Sequence, residues 1–310
     1  MGRCGAVLVV LASGVALHID DAAFAREASA ASTSGAPLRL RGRTLTLAEP
    51  YKLAAPREEL AVVGPGQIVG RGHSLFRVAG RQRLSLEGLE LRHECSSADR
   101  REVGAAVFAL GRARAELRDC ALSSEHGFGV WLVQRARAEL RGCAVGPCGR
   151  SGVVCFGDAR LDAVGTTVRG AAPHGVCARG RARIALCECA LDACGSRGAY
   201  AYHNATLELV ACTISRTRDP AAAAIEADSR RVDDRARLVV RECKFDGNAG
   251  ARMRVRGSVD ADVDGARNMC DLVRAPPRRS QERVFPTGRV LICGCPHPPP
   301  SDLGHPCENP

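Results

Sequence analysis

The densest cluster of metal-ligating side chains lies near the end of the chain. Cys293, Cys295 and His297 alternate with other residues, and His305 and Cys307 follow shortly afterwards. Thiolates and imidazoles are the ligands of tetrahedral Zn²⁺ sites. The spacing is tighter than the usual Cys-x-x-Cys, and prolines surround it. The tail therefore predicts a zinc site, with a plain unstructured tail as the alternative, and nothing in the sequence indicates another cofactor.

A group of carboxylates raises a second chemistry, the cleavage of a glycan. Glu226 and Asp228 are two residues apart, with Asp219, Asp233 and Asp234 close by in sequence. Glycan-cleaving enzymes need at least two carboxylates that converge on the substrate. The two preceding repeats carry no carboxylates at the matching positions. We therefore predict a protein that is not an enzyme, with a polysaccharide lyase or hydrolase as the alternative.

Aromatic side chains recur at positions predicted to face outward, and exposed rings indicate binding. They are Phe108, Trp131, Phe156, Tyr200 and Tyr202. Such rings can bind a sugar polymer, a protein partner or a second subunit, unless loops of the same chain fold over them. We predict that they bind a partner.

Arginines form a second predicted outward row, made of Arg114, Arg137, Arg160 and Arg183, beside acidic residues. All but two of the 44 basic residues are arginines, and the formal net charge is +10. This bias, with abundant Ala, Gly and Pro, is typical of a GC-rich coding sequence, so the charge does not predict nucleic-acid binding. The row is predicted to be a solvated face that can also anchor a partner.

A repeat of 23 residues positions these side chains. Ala113–Cys120 recurs as Ala136–Cys143, and the same step relates Gly129, Gly152, Gly175 and Gly198. Repeats this short bury their apolar residues only by stacking. The sequence therefore predicts an all-β fold, a right-handed parallel β-helix of about 8 rungs. We assign residues 1–36 to an N-terminal apolar run, capping helix and linker, 37–272 to the β-helix, and 273–310 to the tail.

Alternation within the repeat separates inward from outward side chains. The inward columns of the first strand are predicted to be Val107, Val130, Val153, Val176, Ala199, Ile225 and Ala109, Leu132, Cys155, Ala178, Ala201, Ala227. Their outward neighbours are predicted to be Phe108, Trp131, Val154, Cys177, Tyr200, Glu226 and Leu110, Val133, Phe156, Arg179, Tyr202, Asp228. Cys120, Cys143, Cys189, Cys212 and Cys243 form an inward ladder of free thiols, because stacked Cα–Cβ vectors suit a disulfide poorly.

The N-terminal region gives two expectations. Residues 20–28 predict an N-capped short helix that covers the first rung, followed by a linker over 30–36. The apolar run from Gly5 to Leu17 and Ala23-Phe24-Ala25 resemble a signal peptide and its cleavage site, which would make the protein secreted. The free-thiol ladder indicates a reducing compartment instead. No segment is long enough to span a membrane.

Four segments resemble, in order, the adenovirus early-region-one-B large T antigen family. The core match is Arg141-Gly-Cys-Ala-Val-Gly-Pro-Cys148 followed by Gly152-Val-Val-Cys155. The other three are Asp20-Asp-Ala-Ala-Phe-Ala-Arg-Glu27, Leu47-Ala-Glu-Pro-Tyr-Lys-Leu53 with Val62-Val-Gly-Pro-Gly66, and Cys293-Gly-Cys295-Pro-His297.

The resemblance implies a non-enzymatic viral scaffold in the host nucleus and cytoplasm. Its expected partners are the host tumour suppressor p53, which that family represses, and components of a cullin ubiquitin ligase. A related branch implies the alternative of a homotrimeric protein on the virion surface. The chain lacks the family's long disordered N-terminal region and its acidic tail, which favours the structural alternative over cullin recruitment.

Overall fold

A computed structural model describes residues 18–19, 21–53, 55–94, 104–229, 234–263 and 272–275. The chain forms a parallel β-helix of about nine turns, close to the eight that the repeat predicts. One helix precedes it, α1 (Asp21–Ser34). The strands are β1 (His18–Ile19), β2 (Leu38–Arg39), β3 (Thr44–Leu47), β4 (Tyr51–Lys52), β5 (Glu59–Gly70), β6 (Ser74–Val78), β7 (Arg83–His93), β8 (Ala105–Ala109), β9 (Arg114–Arg118), β10 (Ala121–Ser124), β11 (Phe128–Leu132), β12 (Arg137–Arg141), β13 (Ala144–Cys148), β14 (Val153–Gly157), β15 (Arg160–Val164), β16 (Thr167–Arg169), β17 (His174–Gly180), β18 (Arg183–Cys187), β19 (Ala190–Asp192), β20 (Arg197–His203), β21 (Thr206–Val210), β22 (Thr213–Ser215), β23 (Ile225–Ser229), β24 (Ala236–Arg241), β25 (Lys244–Asp246), β26 (Met253–Gly257), β27 (Val259–Val263) and β28 (Leu272–Ala275).

Each regular turn contributes three strands. The first strands of the turns pair in parallel into a ten-stranded sheet in the order β28, β26, β23, β20, β17, β14, β11, β8, β6, β4, which we call the first face. The second and third strands of each turn meet at a sharp corner and together form the remaining eighteen-stranded sheet, whose two parts are the second and third faces.

The 23-residue repeat of the sequence is the separation between residues that pair on neighbouring turns of the solenoid. Arg137 pairs with Arg160 and Arg160 with Arg183 across neighbouring second-face strands. Two intervals in the stack are longer than 23 residues, since Glu90 pairs with Ala121 and Thr213 with Lys244, each at a step of 31. The extra residues lie between turns, so they leave the stacking of the strands intact.

Alternation identifies the inward side chains as predicted. The inward columns of the first face all belong to one continuous aliphatic core, and so do the inward leucines and alanines of the second face. The five cysteines of the ladder are buried in the same core. All ten described cysteines are free. The prediction of an inward ladder of unpaired thiols is confirmed.

The corner between the second and third faces explains where the cysteines recur. The residue before each ladder position has a left-handed backbone, for example Glu188 with φ of 53° and Ala211 with φ of 52°. The ladder side chain then donates a hydrogen bond to the carbonyl two residues earlier, as Cys189 does to Cys187 at 3.3 Å. Thr166 fills one position of the column and donates in the same way to Val164 at 3.2 Å. The column therefore selects small buried donors.

The recurring glycines at the start of the first-face strands are explained by close packing. Glycine often permits a corner through a positive φ, but none of Gly129, Gly152, Gly175 and Gly198 has one. A Cβ atom at Gly175 would lie 2.5 Å from the carbonyl oxygen of Gly198 and 2.9 Å from the sulfur of Cys194. Glycine is required there because two layers of the stack approach too closely for a side chain.

The capping helix is confirmed, but it is longer than predicted. Phe24 and Ala28 are fully buried and join the core, and the Phe24 ring meets Tyr51 edge-on at 5.0 Å. Helix α1 continues to Ser34, so most of the linker predicted over 30–36 is helical. The alanines and serines of this stretch tolerate helix, and packing on the first turn of the solenoid stabilises it.

The segment Gly64-Pro-Gly66 does not form the tight turn that Gly-Pro-Gly sequences favour. Strand β5 runs through it, with a register shift between Val63 and Gly66. The segment bends one long strand from the second face to the third. Among the described residues, no helix is both long and apolar enough to cross a bilayer.

Candidate functional site on the first face

The outward side of the first face carries all five predicted aromatic residues. We call it the aromatic–arginine face and define it by Phe108, Phe128, Trp131, Phe156, His174, Arg179, Arg197, Tyr200, Tyr202, Glu226, Asp228, Arg254 and Arg256. Pairing in register places these side chains in columns that run along the axis of the solenoid.

Rings occupy one end of this face. The Trp131 ring lies 4.6 Å from that of Phe108 and 5.4 Å from that of Phe128, and His73 borders the group at 6.2 Å from Trp131. The indole Nε1 of Trp131 is buried and has no hydrogen-bond partner among the described residues. A buried indole N–H normally finds an acceptor, so this end has an unmet hydrogen-bonding need.

The middle of the face is buried rather than exposed, which corrects the prediction for its outward row. Val154, Cys177 and Tyr200 are only 2%, 6% and 8% exposed, and they form a second apolar cluster separate from the core. Rings from neighbouring strands pack against it and cover it. Burial raises the pKa of the Cys177 thiol to about 12, so this outward cysteine is a packing residue rather than a nucleophile.

Tyrosines and an arginine follow in the next strands. The rings of Tyr200 and Tyr202 stack with centroids 5.1 Å apart. The guanidinium carbon of Arg179 lies 5.3 Å from the centroid of Tyr202 and 5.8 Å from that of Phe156. Rings on two strands therefore hold this guanidinium in place by cation–π contacts.

At the other end of the face, three arginines surround a buried carboxylate. Glu226, predicted to be exposed, is 2% exposed. Its carboxylate lies 2.8 Å from Arg197 Nε, 3.4 Å from Arg256 Nε and 4.0 Å from an Nη of Arg254. Burial of a charge requires such partners, and the three guanidinium groups supply them.

The second carboxylate of the predicted pair has a different setting. Asp228 is half-buried, and Tyr200 donates its hydroxyl hydrogen to it at 3.5 Å. Asp219 accepts from the Ser196 hydroxyl at 3.1 Å, beside Arg197. Asp234 instead accepts from the Asn204 amide. Asp233 lies outside the described residues.

A histidine completes the face between the two ends. The His174 ring lies 5.1 Å from that of Tyr200. Burial, reinforced by the nearby charge of Arg197, lowers the pKa of His174 to about 3. Its Nδ1 is buried without a hydrogen-bond partner among the described residues. The ring is therefore neutral at ordinary pH, and its Nδ1 can bond to a ligand.

The predicted arginine row lies elsewhere. Arg114, Arg137, Arg160 and Arg183 stack in register on the second face, and all four are exposed as expected. Arg183 pairs with Glu208 at 2.9 Å, and other arginines of this face pair similarly with the acidic row beside them. The structure does not bring this row together with the aromatic residues.

Sequence reasoning missed several residues of the site. It did not single out Phe128, Arg197, Arg254 or Arg256. Arg254 and Arg256 lie beyond the regular repeat, although the alternation in Met253-Arg-Val-Arg-Gly257 carries the strand signal. Arg197 opens its strand at a position where other repeats carry unrelated residues, so only the fold reveals it.

The described ranges contain no group of three His, Cys, Asp or Glu side chains arranged to hold a metal ion. The predicted zinc ligands Cys293, Cys295, His297, His305 and Cys307 lie outside the described residues. The zinc site stays a prediction.

The stacked parallel strands and the continuous inner core define a β-solenoid protein. The family model described as "Right handed beta helix region" matches residues 105–267, and the chain belongs to that family. The match confirms the predicted handedness. No curated protein matches the chain.

Two solved structures are similar in outline. The Agl-KA catalytic domain matches with a TM-score of 0.45 and 10% identity over 78% of this chain, which spans 65% of that domain. The mannuronan C-5 epimerase AlgE4 A-module of Azotobacter vinelandii matches with a TM-score of 0.32 and 12% identity, covering 88% of this chain and 95% of that one. Likenesses this distant carry no argument about activity. The family match shows that the chain is a right-handed β-helix protein. Its membership of the adenovirus large T antigen family stays a prediction.

Proposed function

We propose that the protein binds a polysaccharide along the aromatic–arginine face and does not cleave it. The observation that carries the proposal is a run of rings on five neighbouring first-face strands, β8, β11, β14, β17 and β20. Within it two buried ring nitrogens, Trp131 Nε1 and His174 Nδ1, have no partner among the described residues. Sugar hydroxyls both donate and accept hydrogen bonds, and the apolar faces of sugar rings pack on aromatic rings.

The dimensions of the face favour a polymer over a small sugar. Parallel strands are about 4.8 Å apart, so the face from β8 to β26 extends about 29 Å along the solenoid. Its ligand groups are distributed over that length instead of converging on one pocket. A ligand that lies across the strands contacts several rings at once, and its affinity should rise with chain length.

The setting of the carboxylates supports binding without cleavage. The oxygens of Glu226 are engaged by Arg197 and Arg256, and Asp228 accepts a hydrogen bond from Tyr200. A general acid must hold a proton that it can deliver to the glycosidic oxygen. Glu226 is instead ion-paired and buried, a setting suited to a structural anion.

Affinity electrophoresis and a glycan array test the proposal. Tyr202→Ala and Trp131→Ala should each weaken retention by the bound polymer at least tenfold, because each removes a ring on which sugars would pack. Arg160→Ala on the second face is the matched control and should leave retention unchanged. Thermal unfolding checks that each variant is folded.

Two results would overturn the proposal. One is an array without hits for the folded wild-type protein. The other is release of reducing ends from a bound polymer, which would show a glycan-cleaving enzyme.

The exposed arginine row favours a second candidate, the protein-interaction scaffold implied by the adenovirus resemblance. Four guanidinium groups in register form a basic stripe that an acidic protein surface could complement. Co-precipitation with p53 and with cullin-ligase components tests it, and Arg137→Glu should abolish any capture. Sizing of the purified protein tests the capsid alternative, which requires a trimer.

A further inference from the structure

The cysteine ladder consists of a pair and a triplet of thiols on consecutive turns of the solenoid, and the residues that directly follow these thiols pair in register. The pair is Cys120 and Cys143, and the triplet is Cys189, Cys212 and Cys243. Thr166 fills the position between the two groups. Because parallel strands are about 4.8 Å apart, consecutive sulfurs of the ladder are separated by about the same distance.

This separation fits a metal ion held between two opposite thiolates. Metal–thiolate bonds of about 2.3 Å place the two sulfurs about 4.6 Å apart when the ion lies on the line between them. That line runs along the solenoid axis, at a steep angle to the Cβ–Sγ bonds, which is where the lone pairs of a thiolate point. The stacked Cα–Cβ vectors that suit a disulfide poorly therefore suit a bridging ion.

The ladder thiols can lose their protons without leaving a buried backbone group unpaired. Cys143 donates to the carbonyl of Arg141, but the same carbonyl also accepts the backbone N–H of Asp119 at 2.9 Å. The corner carbonyls of the triplet each accept a backbone N–H in the same way. Within the pair, hydrogen bonding from Cys120 lowers the pKa of Cys143, although burial and the charge of Asp119 oppose this shift. A metal ion can therefore replace the thiol protons while the corner stays intact.

We infer that the ladder binds soft, two-coordinate metal ions of the Cu(I) type, one in the pair and two in the triplet, where the middle thiolate of Cys212 is shared. Thiolates are the ligands that select Cu(I). A structural Zn²⁺ ion needs four ligands, and the described residues contain no cluster of three ligating side chains that could begin such a site.

The binding step is a substitution without electron transfer. In the pair two S–H bonds break, two S–Cu bonds form, two protons pass to solvent, and copper stays Cu(I). The complex carries one negative charge, which is spread over two polarisable sulfurs. In the triplet three protons leave for two copper ions, so this complex also carries one negative charge.

The corner gives an ion a short path to the sulfurs. The ladder cysteines are 1% to 7% exposed, and the residue before each triplet cysteine, such as Glu188 or Glu242, lies at the surface or near it. Local opening of one corner is enough to admit an ion. Binding should therefore be slow, and mixtures have to be brought to equilibrium before they are measured.

Anaerobic titration of the full-length protein with Cu(I), in competition with a chromogenic Cu(I) chelator, tests the inference. Other cysteines of the chain also bind copper, so each site is counted by difference. Cys143→Ser should retain one ion fewer than the wild type, and Cys212→Ser two fewer, because each removes every adjacent thiol pair of its group. Thr166→Cys joins the two groups and should add two ions.

Cys148→Ser is the matched control. Cys148 is buried like the ladder thiols, but Ser124 and Ala171 are its neighbours on the adjacent turns, so it has no thiol beside it. This variant should retain as many ions as the wild type. Serine keeps a small hydrogen-bond donor at each position, so all three Ser variants should fold. Thermal unfolding without metal checks this, and Cys120→Ser replaces Cys143→Ser if the latter does not fold.

X-ray absorption at the copper edge supplies a second readout. The copper that Cys212→Ser fails to retain should have two sulfur neighbours in the wild-type protein. Equal copper retention by the wild type and both folded ladder variants would overturn the inference, and so would the same loss in Cys148→Ser. A ladder that retains Zn²⁺ under the same competition, with the zinc lost in Cys212→Ser, would overturn the assignment to a two-coordinate ion.

Discussion

The cysteine ladder shows how a single hydrogen bond can decide which residue recurs. Each corner carbonyl already accepts a backbone N–H, as Val164 does from Gly142 at 3.0 Å, and the ladder side chain supplies a second bond. Cys, Ser and Thr can each donate in so small a space, whereas Ala and Val cannot. The recurrence of small hydrogen-bond donors in this column is thus a structural requirement of the corner.

Thr166 allows this reasoning to be tested. Thr166→Val keeps the shape but removes the donor, so we expect it to lower the free energy of unfolding by about 1 kcal/mol. Thr166→Cys restores a donor and should stay within about 0.5 kcal/mol of the wild type. Urea denaturation with unchanged slopes measures both. Equal stability of the Val and Cys variants would contradict the role of the donor.

At the scale of the elements, the strands were predictable from the sequence, whereas the ends of the elements and the bends between them were not. Alternation in Arg137-Ala-Glu-Leu-Arg141 fixes a strand, its register and its buried side, because the repeat copies all three. The end of α1 at Ser34 and the continuous course of β5 through Pro65 depend on what the neighbouring turn offers for packing. Such tertiary contacts override local propensity.

The glycine column gives an element-scale prediction. Gly175→Ala would place a Cβ 2.5 Å from the backbone oxygen of Gly198, so layers of the stack must separate. We expect a loss of about 1–3 kcal/mol in the free energy of unfolding. Gly195→Ala is the control, because its Cβ would make an ordinary contact at 3.5 Å with Ala172. Chemical denaturation of both variants measures the difference, and equal costs would contradict the explanation from close approach.

The sequence predicted part of the candidate site, namely the residues whose position follows from the register of the strands. The outward columns placed Trp131, Tyr200 and Tyr202 on one side, since their register follows from the repeat. The burial of Tyr200 and Glu226 was not predictable, because it arises from aromatic and arginine side chains on the same and nearby strands whose identity the repeat does not specify.

For the molecule as a whole, buried histidines predict acid sensitivity. Burial lowers the pKa of His93, which bonds to Ser124 and to the carbonyl oxygen of Gly72, and it lowers the pKa of His174 to about 3. The unfolded chain takes up protons at these histidines below about pH 6.5, while the folded chain does not. Stability is therefore fully present above that pH and falls as the pH drops toward the folded values.

The slope of this decline can be measured. Each histidine that stays neutral in the folded protein lowers the free energy of unfolding by about 1.4 kcal/mol for every pH unit below its unfolded pKa. His174→Gln should therefore make the free energy of unfolding fall less steeply between pH 6 and 4, by about 1.4 kcal/mol per pH unit. His126→Gln changes an exposed ring and should leave the slope unchanged. Denaturant titrations across this range give the slopes. An unaltered acid profile in His174→Gln would contradict the assignment.

The solenoid presents its binding groups along its side, and its single tryptophan reports on that side directly. Trp131 is the only tryptophan of the chain and lies within the aromatic–arginine face. Titration of a polysaccharide that the glycan array identifies, while the intrinsic fluorescence is recorded, is therefore the most direct test. The account predicts a saturable change in Trp131 emission with reduced acrylamide quenching, and Tyr202→Ala should raise the polymer concentration at half-saturation at least tenfold. Emission and quenching that stay constant through saturating polymer would contradict it.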